Sequence, residues 1–124
     1  MSEHYSSFQR GSVPWLLQRV TAAFLIVTLA FHFAFRHFLY HAYEVTFEQS
    51  AAFMAEWGYL LTMILFLVTA TFHAVNGIYN ALINQGLTGT RLRVAKYVLV
   101  LAGIAVAAQG ARLAWTLADA GGLF

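Results

Sequence analysis

Three long apolar stretches, separated by short polar segments, set the pattern of this chain. The first opens at Ser12-Val13-Pro14-Trp15 and runs to about Tyr40, the second lies between Trp57 and Tyr79, and the third between Tyr97 and Trp115. Each is close to the roughly 20 residues that an α-helix needs to cross the hydrocarbon core of a bilayer. Aromatic residues bracket the second and third, as side chains with an apolar body and a polar tip do at a membrane surface, and proline followed by tryptophan suits the first turn of the first. The pattern predicts an all-α membrane protein in which residues 1–124 form one domain with spans at about 15–40, 57–79 and 97–115. Between the first two spans, Thr46-Phe-Glu-Gln49 fits a capping box. A helical preface from about Phe47 to Glu56 is therefore expected outside or along the membrane, with Gly58 as a point of bending. Gln85-Gly-Leu-Thr-Gly-Thr90 places glycines where the chain must stop and reverse. In the third span Gly103, Ala107, Gly110, Ala111 and Ala114 recur at helical spacing and give a smooth face for close helix contact. No internal repeat or low-complexity segment is evident.

Composition narrows the class. Of 124 residues, 60% are hydrophobic and 10% charged, and the mean hydropathy is +0.67, which leaves no room for a soluble catalytic domain beside three spans. Cysteine is absent, so disulfides and thiolate metal sites within the chain are excluded and any metal must be held by histidine or carboxylate. A net charge of +2, with no basic block, gives no reason to expect nucleic-acid binding. Met1-Ser-Glu-His-Tyr-Ser-Ser-Phe8 carries neither a cationic leader nor an Arg/Ser-rich amphipathic one, so no cleaved targeting segment is expected. Arg10, Arg19, Arg91, Arg93 and Lys96 fall on one side of the membrane and Glu44 and Glu48 on the other. That bias orients the amino terminus to the cytoplasm and the carboxyl terminus outside.

One residue stands out from the apolar background. His73 lies within the second span, where an imidazole is costly to desolvate unless something binds it. Gly77 follows one turn later on the same face, where a missing side chain lets a flat cofactor or another helix approach. At about 100° per residue, Thr62, Thr69, His73, Asn76, Asn80 and Asn84 fall in one stripe roughly 80° wide. That stripe should face protein or cofactor rather than lipid. Threonine and asparagine commonly supply helix-to-helix hydrogen bonds, and a lone histidine can bond a neighbouring carbonyl, whereas the glycine and the polar stripe favour His73 as a ligand. Counting from Trp15 and Tyr79, Arg19 lies about 6 Å and His73 about 9 Å inside the membrane, in the same leaflet. A haem held at His73 would turn its propionates toward Arg19; alternatively Arg19 reaches out to lipid phosphate. At the far end of the first span, His32, Arg36, His37 and His41 form an interfacial cluster. His37 and His41 there have the spacing of a metal pair, and His32 is deep enough to compete as a haem ligand or to serve a second, outer haem. His4 carries no assignment.

Leu17-Gln-Arg-Val-Thr-Ala-Ala-Phe-Leu25 at the start of the first helix, followed by His73-Ala-Val-Asn-Gly77-Ile-Tyr in the second of three spans, resembles the small membrane-anchor subunits of succinate dehydrogenase (succinate:quinone oxidoreductase). The resemblance covers nearly the whole chain. The short amino-terminal tail points to the hydrophobic anchor rather than the cytochrome b subunit proper. The resemblance implies a subunit of a multi-subunit helical bundle in the cell membrane, with a second membrane-anchor/cytochrome b subunit, an iron–sulfur subunit and a flavoprotein as partners. Haem b is the implied cofactor and quinone the substrate, reduced to quinol near the cytoplasmic face. His73 matches the family's haem-ligand histidine, its opposite ligand being expected from the partner anchor, and Arg19 matches the arginine near the propionates and the quinone. The family tends to carry an Asp-Tyr pair after the second helix, where this chain has Asn84-Gln85; Tyr79, Asn84 or the partner subunits are left to hold quinone. A haem-free structural anchor is the rival reading. A small transporter is disfavoured because the span cores contain no Asp or Glu.

Overall fold

The computed structural model describes residues 12–124, so His4 and Arg10 lie outside the described residues. Helix α1 spans Val13–Ala34. Ser12 caps it, its hydroxyl accepting from the Trp15 amide at 3.3 Å, and Pro14 sits in the first turn, where no amide hydrogen is missed. The helix widens into a π-helical turn at Phe35–Leu39 and is followed by a 3-10 turn at Ala42–Glu44. Helix α2 covers Phe47–Met54 and carries the expected capping box: the Thr46 hydroxyl accepts from the Gln49 amide at 3.2 Å while the Gln49 side chain accepts from the Thr46 amide at 3.0 Å. Helices α3, Trp57–Asn84, and α4, Gly89–Ala120, complete the chain. The break between α2 and α3 falls at residues 55–56, just before Gly58 rather than at it.

The helices containing the three apolar stretches are long and apolar enough to cross a membrane, at 27, 28 and 32 residues. The chain is a multi-pass integral membrane protein with a three-helix bundle. Helices α3 and α4 run past the aromatic markers that bound the expected spans, because their ends are stabilised beyond the membrane surface. After α3, Gly86 adopts φ 87° while the Leu87 amide donates to the Leu82 carbonyl and the Gly86 amide to the Ile83 carbonyl. This left-handed termination satisfies carbonyls that would otherwise be orphaned. Gly122, at φ 88°, ends α4 in the same way.

Helix α3 is central, packed against α1 on one side and α4 on the other. The smooth face of α4 meets it: a methyl group on Gly103 would stand 2.7 Å from Val75 Cγ2, and one on Gly110 would stand 2.8 Å from Leu67 Cδ2. At the outer end, α2 lies across the bundle. Ala51 and Met54 are buried there with Leu60, Ala114 and Ala118, and Leu123 folds back onto this core. Gly121 is where α2 comes closest, its α-carbon facing the Ala51 carbonyl. Elsewhere the apolar side chains point outward, as expected where lipid or other helices supply the surroundings.

Candidate functional site

The polar stripe of α3 meets a second polar stripe on α1 that carries Gln18 and Thr21. His73 is half-buried between them, with Nδ1 3.0 Å from Thr21 Oγ1 and Nε2 3.4 Å from Gln18 Nε2. The proton positions follow from the partners. Thr21 Oγ1 donates to the Leu17 carbonyl at 2.7 Å, its shortest contact, an arrangement that matches a His73 ring protonated at Nδ1 with the Thr21 oxygen accepting. Nε2 is then a lone pair, toward which the Gln18 amide turns one N–H while donating another to the His73 carbonyl at 3.3 Å. Asn76 Nδ2 donates to Gln18 Oε1 at 2.7 Å, and Asn80 Nδ2 donates to the Asn76 carbonyl at 2.6 Å. Asn80 is completely buried. The network is a chain of hydrogen bonds that runs from Asn80 through Asn76 and Gln18 to the His73 ring.

This is the tautomer that a metal-binding histidine needs: Nδ1–H fixed by a neighbouring oxygen, Nε2 available to bond. The residues therefore fit a haem-ligand histidine. The space above Gly77 is taken by Gln18, whose Nε2 would lie 3.2 Å from a methyl group there. Gly77 thus makes room for the Gln18 amide, a flexible side-chain end that can swing away.

The other sequence candidates do not converge on His73. Arg19 lies at its level, between Gln18 and Thr21, but is exposed, with its guanidinium 5.3 Å above the Trp15 ring. Helical phase explains this: a step of about 100° from Gln18 turns Arg19 off the face that meets α3. Tyr79 lines a hollow between α3 and α4 that Asn76 and Pro14 also border, its ring 5.8 Å from Lys96 Nζ, and Asn84 is exposed at the last residue of α3. His32 is near the opposite end of the bundle, its Nδ1 3.4 Å from Tyr59 Oη. Tyr59 and His73 are fourteen residues apart on α3, about 21 Å, so His32 cannot be the opposite ligand for an ion at His73.

The outer cluster is dispersed. Arg36 lies over the Phe53 ring at 4.9 Å and donates to Ser50 Oγ at 3.3 Å, whereas His37 stacks on Phe33. His41 sits beyond the helix end in left-handed backbone at φ 49°, so the helical spacing that would pair it with His37 does not arise. Among the described residues no group of three or more His, Asp or Glu side chains gathers to hold a metal ion.

Gln18 and Thr21 were not singled out by the sequence reading. A signal was there: Gln18, Thr21, Thr28 and His32 share one face of the first helix. Thr28 on that face is buried.

Residues 1–110 match the model of the succinate dehydrogenase/fumarate reductase transmembrane subunit family. No curated protein and no solved structure matches the chain.

Proposed function

The chain belongs to the succinate dehydrogenase/fumarate reductase transmembrane subunit family, and on that footing we propose that it is an anchor that helps carry electrons between a soluble iron–sulfur subunit and membrane quinone. It is a membrane-anchor subunit rather than a standalone enzyme domain. The flavoprotein that handles succinate or fumarate, the iron–sulfur subunit and a second membrane-anchor/cytochrome b subunit are its partners in this reading. The observation that supports it is the His73 imidazole, hydrogen-bonded at Nδ1 to Thr21 with Nε2 turned to the flexible Gln18 amide.

His73 would hold haem b together with a residue of the second anchor. When bound, haem b supplies a one-electron redox centre. Thr21 keeps the ring in the binding tautomer, and Gln18 yields Nε2. Arg19, exposed at the same level, is the candidate to meet the haem propionates and the quinone on the outward face of α1, where partner subunits would complete the site. Quinone takes up two electrons and two protons to become quinol; Tyr79 and Asn84, at the same end of α3, are candidates to orient its carbonyl oxygens. That end faces the cytoplasm in this reading, since it carries Arg19, Arg91, Arg93 and Lys96 while Glu44, Glu48, Glu56 and Asp119 lie at the other.

Arg19→Ala tests the assignment. It should impair quinone reduction by the assembled complex more than succinate oxidation with an artificial soluble acceptor. Equal loss of both would mean failed assembly, and an unchanged quinone rate would remove Arg19 from the site.

One observation favours a second reading. The Gln18 amide already meets Nε2 of His73 and fills the space above Gly77, which is how a haem-free structural anchor would satisfy a leftover histidine.

A further inference from the structure

Beside the His73 network, which borders it through Asn76, α3 and α4 form with Pro14 a groove of about 500 Å³. It runs from Tyr79 and Lys96 at one end to Val68 and Ala107 at the other, with Phe72 and Val100 between them. Residues 68–79 and 96–107 each advance eleven positions, about 16 Å of helix. The walls of the groove are almost wholly apolar, so it suits a hydrocarbon chain.

Its polar end is cationic. Lys96 is exposed, and Arg93 stands one turn before it on the same face of α4, also exposed. No acid lies between residues 57 and 118, and the acids among the described residues, Glu44, Glu48, Glu56 and Asp119, are all at the opposite end of the bundle. The charge at Lys96 and Arg93 therefore has no carboxylate to meet among the described residues. The carbonyl oxygens of a quinone can accept hydrogen bonds from these cations but bring no charge to neutralise them.

We propose that this groove seats one anionic glycerophospholipid, its phosphate at Lys96 and Arg93 and one acyl chain lying along the α3–α4 seam. Tyr79 marks the level at which headgroup gives way to chain, as aromatic residues do at the interface. The lipid thereby covers the apolar walls at Phe72 and Val100 and neutralises charge that the protein leaves open. A cation near a membrane surface favours an anionic headgroup about fivefold.

The test uses the intact complex purified through this chain, stripped of lipid by detergent exchange. It is then offered equal amounts of phosphatidylglycerol and phosphatidylcholine with matched acyl chains, and the retained lipid is weighed by native mass spectrometry. The native complex should retain phosphatidylglycerol in preference. Lys96→Gln, a surface change, should cut that retention about fivefold while leaving phosphatidylcholine unchanged, and Val100→Trp, which fills the groove, should lower both. Equal phosphatidylglycerol retention by native and Lys96→Gln complexes would overturn the proposal. So would quinone rather than phospholipid being displaced by Val100→Trp, or a partner subunit being lost on Lys96→Gln, which would place a protein carboxylate at Lys96.

Discussion

Substituting alanine at four glycines should produce a graded response that the packing sets in advance. At Gly58 an added methyl group meets nothing within 4 Å. Only the backbone preference operates there, so Gly58→Ala should stabilise by up to about 1 kcal/mol. At Gly110 the obstruction is the end of Leu67, its two δ-methyls 2.8 and 2.9 Å away, on a side chain that branches at Cγ rather than Cβ and can turn aside; overpacking of about 1 kcal/mol is offset by the helix gain, and the net change should be near zero. At Gly103 the obstruction is Val75 Cγ2 at 2.7 Å with Thr71 Cγ2 at 3.2 Å. Both neighbours are β-branched and stiff about χ1, so the helices must part, costing about 1–2 kcal/mol after the helix gain. At Gly121 the methyl group would enter the Ala51 carbonyl and meet Ala55 Cβ at 2.8 Å. Backbone cannot yield as a side chain can, and Gly121→Ala should cost the most, about 2–3 kcal/mol, by lifting α2 off the end of α4. Denaturant titration of the detergent-solubilised protein, followed by helical circular dichroism, gives the four values. A loss at Gly110→Ala as large as at Gly103→Ala would refute the packing argument, because it would mean that the nature of the neighbouring atom does not matter.

Further consequences follow from the caps and the His73 shell. Thr46→Ala removes one arm of the capping box and should cost about 1 kcal/mol, read from the same titration. Glu48 is held below the usual carboxylate range by its own backbone amide and then by the Thr46 hydroxyl. A depressed carboxyl contributes stability above its unfolded pKa and loses it as pH falls through the folded value. Thr46→Ala should therefore move the Glu48 titration, followed by carbon-detected NMR, upward toward the ordinary range, and no movement would exclude the hydroxyl as a cause. Thr21→Val deprives Nδ1 of its acceptor and should weaken haem retention by about 10- to 100-fold, whereas Gln18→Ala, which leaves Nδ1 anchored and frees Nε2, should not weaken it. The opposite order, measured as haem retained after detergent washing, would show that Thr21 does not set the ring.

Much of the architecture was readable because the membrane imposes a simple rule: backbone polar groups must be satisfied internally, so long apolar stretches become helices. The small residues of α4 announced a close contact, and Gly103 and Gly110 are where α3 approaches. The stripe on α3 announced a protein-facing side along its middle, where His73, Asn76 and Asn80 are hydrogen-bonded, whereas Thr62 and Asn84 of the same stripe are exposed, Thr62 bonding only the Gly58 carbonyl of its own helix. Less was readable on α1. A charge in a span draws attention first, and Arg19 is the charged residue, yet helical phase turns it away and brings Gln18 and Thr21 to His73 instead. Which residue of α1 faces α3 depends on how the helices are rotated about their axes, and an apolar stretch with no strong asymmetry fixes that only weakly. The docking of α2 was equally hidden, because it depends on Ala51, Ala118 and Gly121 being small enough for backbones to meet.

The central claim is that His73 is a redox-cofactor ligand in an assembled anchor, and it is tested most directly by a reduced-minus-oxidised visible spectrum. The complex co-purified through this chain is compared with its His73→Ala counterpart at matched subunit content. The account predicts a b-type signal in the native complex that is lost in His73→Ala while every subunit is retained. A signal of equal size in both, or none in either, would contradict it, in the first case moving the ligand to His32 or the partner subunits and in the second leaving a haem-free anchor.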